Sequence, residues 1–90
     1  MVPITLYYIY GLLRTKVNIR FGKKVVALRN AKGISQEELA YRCGIHRAYM
    51  GTIERGEKSV TLNTIEKIAK GLEIDITELF ADIDYGKEEE

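Results

Sequence analysis

The side chains that most often perform chemistry are scarce in this sequence. It contains one cysteine, Cys43, and one histidine, His46, so a single chain can neither form an intrachain disulfide nor supply the Cys and His ligands of a zinc site. No serine or cysteine nucleophile stands beside the histidine in a recognisable order, and no glycine-rich loop is spaced to hold a phosphate. Acidic pairs such as Glu37 and Glu38 are explained by charge at a helix start. The sequence predicts no enzyme, no metal and no cofactor.

Lysine and arginine are abundant, and they are unevenly distributed along the chain. Residues 1–13 carry no charge, residues 14–58 hold eleven Lys and Arg against four Glu for a net charge of +7, and residues 59–90 hold three Lys against nine acidic residues for a net charge of −6. Because phosphate binding depends on local charge, the basic middle favours a surface that faces a polyanion. A solvated charged face explains the same pattern equally well.

The length and composition place these charges on one small globular domain. Ninety residues with 46% hydrophobic and 30% charged side chains are typical of a single folded domain. The longest apolar stretch, residues 4–13, is about half the length needed to span a bilayer, and no basic region precedes it as in a secretory signal. We expect a cytoplasmic protein that does not enter membranes.

Periodicity and capping residues predict an all-α fold of five short helices. The glycines fall between periodic segments and no proline follows Pro3, so the helices are expected at residues 21–31, 35–44, 46–55, 62–70 and 76–82. Ser35 and Glu38 have the spacing of a capping box, Thr61 is a plausible N-cap, and His46 is most simply the N-cap of the third helix. Cys43 is expected on the inner side of the second helix. We divide the chain into an N-terminal apolar extension (1–18), a folded domain (19–83) and an acidic tail (84–90).

The extension shows neither a clean strand period nor a clean helix period. It is too apolar to remain unpacked, and three explanations stay open: an edge strand paired across a dimer, an extra helix on the core, or upstream sequence from a mis-assigned start codon. We favour an added element at a dimer interface, because exposed aromatic patches usually mark contact surfaces.

The second and third helices have the spacing of a helix-turn-helix. Two helices that cross at a wide angle leave room only for a small side chain, which fits Ala40, and the turn between them favours a positive φ at Gly44. Met50 and Ile53 are placed to pack the second helix of the pair against the first.

On these residues the chain resembles the lambda and 434 repressor-like (XRE) family of helix-turn-helix proteins. The resemblance spans residues 21–80 through Leu28-Arg29, GISQEELA (33–40), IERG (53–56) and IAKGL (68–72). Within that family, HRAYMGTIERGEK (46–58) followed by LNTI (62–65) is most similar to the controller proteins of restriction-modification systems. The implied fold is a five-helix lambda-repressor-like DNA-binding domain, here with an extra apolar N-terminal segment.

The resemblance implies that the third helix enters the major groove of double-stranded DNA. Arg47, Ala48, Gly51 and Thr52 would then face the bases. Arg47 is the main candidate for base contact, since a guanidinium can bond the O6 and N7 atoms of guanine; the alternative is a solvated surface arginine. Thr52 could equally touch nothing, and Ala48 and Gly51 would mainly allow close approach.

The resemblance also implies residues that hold the DNA backbone and the domain. Gln36, Tyr49 and Lys58 match backbone-contacting positions, although Lys58 stands where some relatives have arginine and cannot make a bidentate contact; Arg42 and Arg20 are weaker candidates. Arg29 and Glu54 match an ion pair that joins the first helix to the end of the third.

A homodimer is implied because one short helix gives too small an interface for tight specific binding. In the family that the chain resembles, the dimer forms through the fifth helix and its neighbours. The resemblance therefore implies Ile76, Leu79, Phe80 and Ile83 as candidate contacts, with core packing as the alternative, especially for Leu79. The resemblance to controller proteins implies that the dimer regulates transcription from a near-palindromic operator, with RNA polymerase as a further partner of an activator. The alternatives are a phage-type repressor, an antitoxin, or a protein-protein adaptor on the same scaffold.

Overall fold

The structure is a computed structural model that describes the backbone of residues 4–82 and the side chains of residues 16–82. The described residues form four α-helices, and residues 4–82 contain no strand, which confirms the all-α class. A single 3₁₀ turn follows the last of them. Their bounds are α1 Ile4–Ala31, α2 Gln36–Cys43, α3 Arg47–Glu54, α4 Leu62–Leu72 and the 3₁₀ turn Ile76–Leu79.

The first helix is much longer than the sequence predicted. It begins at Ile4 instead of about Phe21, and it runs without a break for 28 residues. The boundary at residue 18 therefore falls inside a helix, and an edge strand is wrong for residues 4–18. A helical period appears in a sequence only when apolar and polar residues fall on different faces, and the run from Ile4 to Leu13 contains no charged residue to mark a polar face. Among the described residues, no helix is long and apolar enough to cross a membrane.

The short helices begin and end where local capping chemistry dictates. The Ser35 hydroxyl accepts from the backbone N–H of Glu38 at 3.0 Å, and the Thr61 hydroxyl accepts from the N–H of Thr64 at 3.1 Å. Each bond satisfies a backbone donor that has no partner within its own helix. The Glu38 carboxylate of the predicted capping box accepts from Arg42 Nε.

The C-terminal part differs from the predicted fifth helix. One 3₁₀ turn replaces a helix over residues 76–82, and Asp75 caps it by accepting from the N–H of Thr77 at 2.9 Å. Asp82 has a φ of 66°, a conformation that does not continue a helix. The fourth helix ends at Leu72, two residues later than predicted, with Glu73 in the left-handed region as its cap.

A single apolar core joins these elements. The α2 helix packs on α4, and α1 packs on α3. The members of this core are all hydrophobic. The buried side chains are Phe21, Val25, Leu39, Ala40, Cys43, Met50, Ile53, Ile65, Ile68, Ala69, Leu72 and Leu79.

Candidate nucleic-acid interface

The turn between α2 and α3 fixes the direction of α3. Gly44 ends α2 with a φ of 68°, a conformation that favours glycine. The N–H of Ile45 donates to the Ala40 carbonyl at 2.9 Å, which closes the turn. Ala40 itself is 2% exposed at the helix crossing, where its small side chain permits close packing. The α2–turn–α3 unit is therefore a helix-turn-helix in geometry as well as in sequence.

The rear of α3 is held by direct contact with the backbone of α1. Met50 and Ile53 are buried against the core. Gly22 of α1 lies so close to the end of α3 that a methyl group there would stand 2.5 Å from the Ile53 carbonyl oxygen and 2.6 Å from that of Glu54. Only glycine allows the two helices to approach this closely, so α1 fixes the position of α3.

A polar network holds the same end of α3. Arg29 donates from Nε to Glu54 Oε2 at 2.9 Å and from Nη2 to Glu54 Oε1 at 3.1 Å, while its Nη1 donates to the Ile34 carbonyl at 3.0 Å. The Gln36 amide adds a 3.0 Å bond to Glu54 Oε1. The Glu54 side chain is only 4% exposed, and its carboxylate accepts three donors from α1 and α2. This is the ion pair that the family resemblance implied.

The opposite side of α3 is open to solvent. We call it the α3 surface: an open groove of about 460 Å³ lined by the start of α2, the first two turns of α3 and the residue that follows α3. Its lining residues are Gln36, His46, Arg47, Ala48, Gly51, Thr52 and Arg55.

Three of the four residues expected to face bases, Arg47, Ala48 and Thr52, present different chemical groups to a base. Arg47 and Ala48 are exposed, and the Arg47 guanidinium makes no hydrogen bond or ion pair with the rest of the described chain. Thr52 is half-buried, and its hydroxyl donates to the Tyr49 carbonyl at 2.7 Å. Its proton is thus committed to its own helix, which leaves the oxygen lone pairs and the methyl group to meet a base.

Gly51 differs from the expectation that it lies open on the outward face. It is buried. A methyl group there would stand 3.1 Å from Arg55 Nη1 and 3.5 Å from Gln36 Oε1, so two polar side chains cover it. The helical period of α3 could not reveal this cover, because both side chains come from outside α3.

His46 caps α3 and contributes to its surface. The Nδ1 atom accepts from the N–H of Ala48 at 3.1 Å. A neutral imidazole that accepts at Nδ1 carries its proton at Nε2. The exposed ring therefore presents an N–H donor at the start of α3.

The four residues expected at the DNA backbone are not equivalent. Lys58 is exposed after α3, without a hydrogen bond or ion pair to the described residues. Tyr49 is half-buried against the core. Gln36 uses its amide to bind Glu54, and Arg42 pairs with Glu38 at 3.0 Å on the exposed face of α2. Of the two cations among these four, Lys58 is thus the one without an ion pair to a described residue.

Sequence reasoning missed Arg55, which lines the α3 surface. It forms a forked ion pair with Glu57, from Nε to Oε2 at 2.8 Å and from Nη2 to Oε1 at 3.2 Å. This pair holds the pKa of the Glu57 carboxyl below its usual range and raises the pKa of Arg55, chiefly through the hydrogen bonds. The detectable sign was an arginine and a glutamate on either side of Gly56, whose φ of 73° turns the chain back.

The residues expected at a dimer interface are divided by the structure. Ile76 and Phe80 are 40% and 37% exposed. Leu79 is fully buried in the core of its own chain, so its assignment to a dimer interface is wrong: the 3₁₀ turn directs it inward. Ile83 lies outside the described residues.

A helix-turn-helix whose second helix presents an open, partly cationic face is the arrangement of a DNA-binding regulator. The helix-turn-helix family HTH_3 matches residues 25–79, and the chain belongs to this family. The first part of α1 lies outside that match.

Comparison with known relatives indicates which members of this family the chain is similar to. The chain is 44% identical to the control protein C.MunI of Mycoplasma sp over 69 residues, which are 76% of this chain and 93% of that protein. It is 44% identical to the control protein C.BamHI of Bacillus amyloliquefaciens over 61 residues, 67% of this chain and 75% of that one. The crystal structure of the restriction-modification controller protein C.AhdI from Aeromonas hydrophila superposes with a TM-score of 0.71 at 45% identity, covering 72% of this chain and 98% of that chain.

Proposed function

We propose that this protein is the controller protein of a restriction-modification system, a transcriptional regulator that binds a near-palindromic operator as a homodimer. The observation that carries the proposal is the α3 surface, which presents Arg47 to solvent while α1 and α2 hold the other end of the same helix. A base-contacting helix needs both properties, because its exposed side chains select bases only if the helix itself cannot shift.

Arg47 is the principal base-contacting residue of this proposal. It stands in the first turn of α3, next to the N-cap, where this class of protein contacts base edges. Its guanidinium can donate two parallel hydrogen bonds to guanine O6 and N7. Ala48 offers a methyl group to a thymine methyl, and Thr52 offers its methyl group or its acceptor lone pairs. Gly51 allows close approach of Arg55 instead of contacting a base itself.

The DNA backbone would be held on both sides of α3. Lys58 contacts phosphate from the segment after α3, and Tyr49 presents the polar tip of a ring whose body packs on the core. At the start of α2, Gln36 and the free backbone N–H groups bind a phosphate. Arg42 reaches phosphate only by exchanging its Glu38 partner.

The dimer would place two α3 helices on half-sites about 34 Å apart. Ile76 and Phe80 are the described apolar residues of the proposed interface, and Ile83 is a further candidate. The acidic residues of the C-terminal part of the chain (59–90) would keep this interface away from phosphates. The helical extension formed by residues 4–18 is the additional element that we assign to the same interface.

As a controller protein, the dimer would activate transcription at low occupancy and repress it when a second dimer binds. Activation requires contact with RNA polymerase, which makes the polymerase a proposed partner. A phage-type repressor or an antitoxin would use the same α3 surface, and the control-protein relatives favour the controller role over both.

The test is DNA binding by the wild type and by Arg47→Ala. A duplex is first selected by the wild-type protein from random-sequence DNA, and both proteins are then titrated on that duplex and on a scrambled one in mobility-shift assays. Arg47→Ala should weaken binding to the selected duplex by about 1–3 kcal/mol and should relax the preference for guanine at one position in each half-site.

Lys67→Ala is the matched control, because it removes one exposed cation from α4, away from the α3 surface. It should leave the preference unchanged. A wild-type protein without sequence-dependent, salt-sensitive binding would instead support a protein-protein adaptor.

A further inference from the structure

The ion pair between Arg55 and Glu57 is the feature of the α3 surface that the proposed contacts leave unused. Both partners are largely exposed, at 59% and 54% of their side chains. An exposed pair of this kind contributes little to stability. Its geometry is nevertheless specific, because two parallel hydrogen bonds fix the plane of the guanidinium as well as its position.

The backbone around Gly56 places Glu57 where it can orient Arg55. The N–H of Arg55 donates to the Gly51 carbonyl at 3.1 Å, and the N–H of Glu57 donates to the Thr52 carbonyl at 2.9 Å. The chain is thus folded back against the last turn of α3, and Glu57 lies beside the side chain that leaves that turn.

The fork uses Nε and Nη2 of Arg55 and leaves Nη1 directed away from Glu57. Nη1 lies over Gly51, at 3.1 Å from the position of a Cβ there, and Gln36 Oε1 lies 3.5 Å from the same position. Both N–H groups of Nη1 therefore remain available above α3, next to the residue that begins α2. A cationic donor beside a helix start is a favourable place for a phosphate oxygen.

We propose that Arg55 is a further DNA-contacting residue, which donates from Nη1 to a backbone phosphate at the start of α2, and that Glu57 is the positioning residue that holds it there. This inference rests on the proposed function, since it assigns two more residues to the same DNA surface. It predicts that one acidic side chain near the DNA strengthens binding.

This prediction distinguishes two roles for Glu57: a carboxylate that orients Arg55, and a negative charge that merely lies near the DNA. If Glu57 acts only as a nearby negative charge, Glu57→Gln removes a repulsion and strengthens DNA binding. If Glu57 orients Arg55, Glu57→Gln weakens binding, because an amide offers one acceptor where the fork needs two. Glu37→Gln is the matched control: it removes one exposed carboxylate from the first turn of α2, where the structure describes no bond to an arginine.

The experiment measures dissociation constants of the wild type, Arg55→Ala, Glu57→Gln, Glu37→Gln and the Arg55→Ala/Glu57→Gln double variant. The probes are the duplex selected by the wild type and its scrambled counterpart, each at several salt concentrations. Arg55→Ala should weaken binding to both duplexes about tenfold, a loss typical of a hydrogen bond to a charged group, and lower the salt dependence by about one phosphate contact. Glu57→Gln should weaken both by about threefold or more, whereas Glu37→Gln should not weaken either.

The double variant shows whether the two residues act together. In the Arg55→Ala background, Glu57→Gln should no longer weaken binding. The inference is overturned if Glu57→Gln strengthens binding as Glu37→Gln does, or if it weakens binding equally with and without Arg55. Urea unfolding of each variant should match the wild type, since the pair is exposed. If the wild type binds neither duplex, it is the proposed function that fails.

Discussion

The rear of α3 and the α3 surface use polar side chains in opposite ways. At the rear, Arg29 and Glu54 are largely buried, 15% and 4% exposed, and their hydrogen bonds join α3 to α1 and α2. On the surface, Arg47 and Arg55 are exposed, and the ion pair there, Arg55 with Glu57, joins residues two positions apart in the chain. Arginine thus fixes the helix on one side and, in the proposed function, contacts DNA on the other, so variants of the two sides should separate stability from DNA binding.

The largest effect is expected at Arg29. Arg29→Ala leaves the buried Glu54 carboxylate with the Gln36 amide as its remaining described donor, and the removal of one partner of a buried pair costs about 3–5 kcal/mol. The free energy of unfolding in urea should fall by that amount. The sequence preference of the protein that remains folded should stay that of the wild type.

Arg42→Ala is the control for Arg29, because it breaks an ion pair of similar length that is 39% and 47% exposed. That loss should be under about 1 kcal/mol. If the two variants were equally stable, the rear of α3 would not be held by its polar network, and the contrast between the two sides would disappear.

The next largest effect is expected at a helical glycine, and it appears when Gly22, at the rear of α3, is compared with Gly51, on the α3 surface. Gly22→Ala should destabilise the fold by about 1–3 kcal/mol, although alanine favours a helix, because its methyl group would meet carbonyl oxygens of α3 that cannot move aside. Gly51→Ala should leave stability unchanged or higher, because its methyl group meets the flexible end of Arg55. Thermal unfolding of both variants measures the difference.

The same pair of variants sharpens the assignment of Arg55. Gly51→Ala displaces Nη1 from its place over α3, so it should weaken DNA binding without a loss of stability. A Gly22→Ala protein as stable as the wild type would contradict the close approach of α1 and α3.

The comparison also explains which features could be predicted from the sequence. The bounds of α2 and α3 follow from local residues, Ser35, Gly44 and His46, whose capping bonds lie within a few positions of the chain. The start of α1 could not be predicted, because a helical period requires apolar and polar residues on different faces and the run from Ile4 to Leu13 has no charged residue to mark a polar face. The inward direction of Leu79 depends on where a 3₁₀ turn meets the core, which no local pattern contains.

The site was predictable to a similar degree. The exposure of Arg47 and Ala48 follows from the helical period, and the resemblance to known repressors implied the Arg29–Glu54 pair. The cover over Gly51 was not predictable, because it depends on Gln36 from another helix and on Arg55 held by Glu57. Contacts between side chains from different elements require the assembled fold.

The smallest effect on stability is expected from Cys43, which lies in the core where α2 crosses α4. Cys43 is 6% exposed, and Gly71 of α4 lies against it. Burial raises the pKa of the Cys43 thiol to about 11, above the ordinary value of 9.0. The folded protein therefore keeps the thiol neutral in a range where the unfolded chain releases its proton, and stability present below about pH 9 is lost as the pH rises toward 11.

Urea unfolding at pH 8 and at pH 10 measures this loss. The decrease in unfolding free energy between the two should be about 1 kcal/mol larger for the wild type than for Cys43→Ala, which has no thiol to ionise. The comparison between the two proteins isolates the thiol, because they share every other ionisable group. An equal decrease in the two proteins would mean that the thiol reaches water in the folded state, and the contact between α2 and α4 would then be looser than the rear of α3.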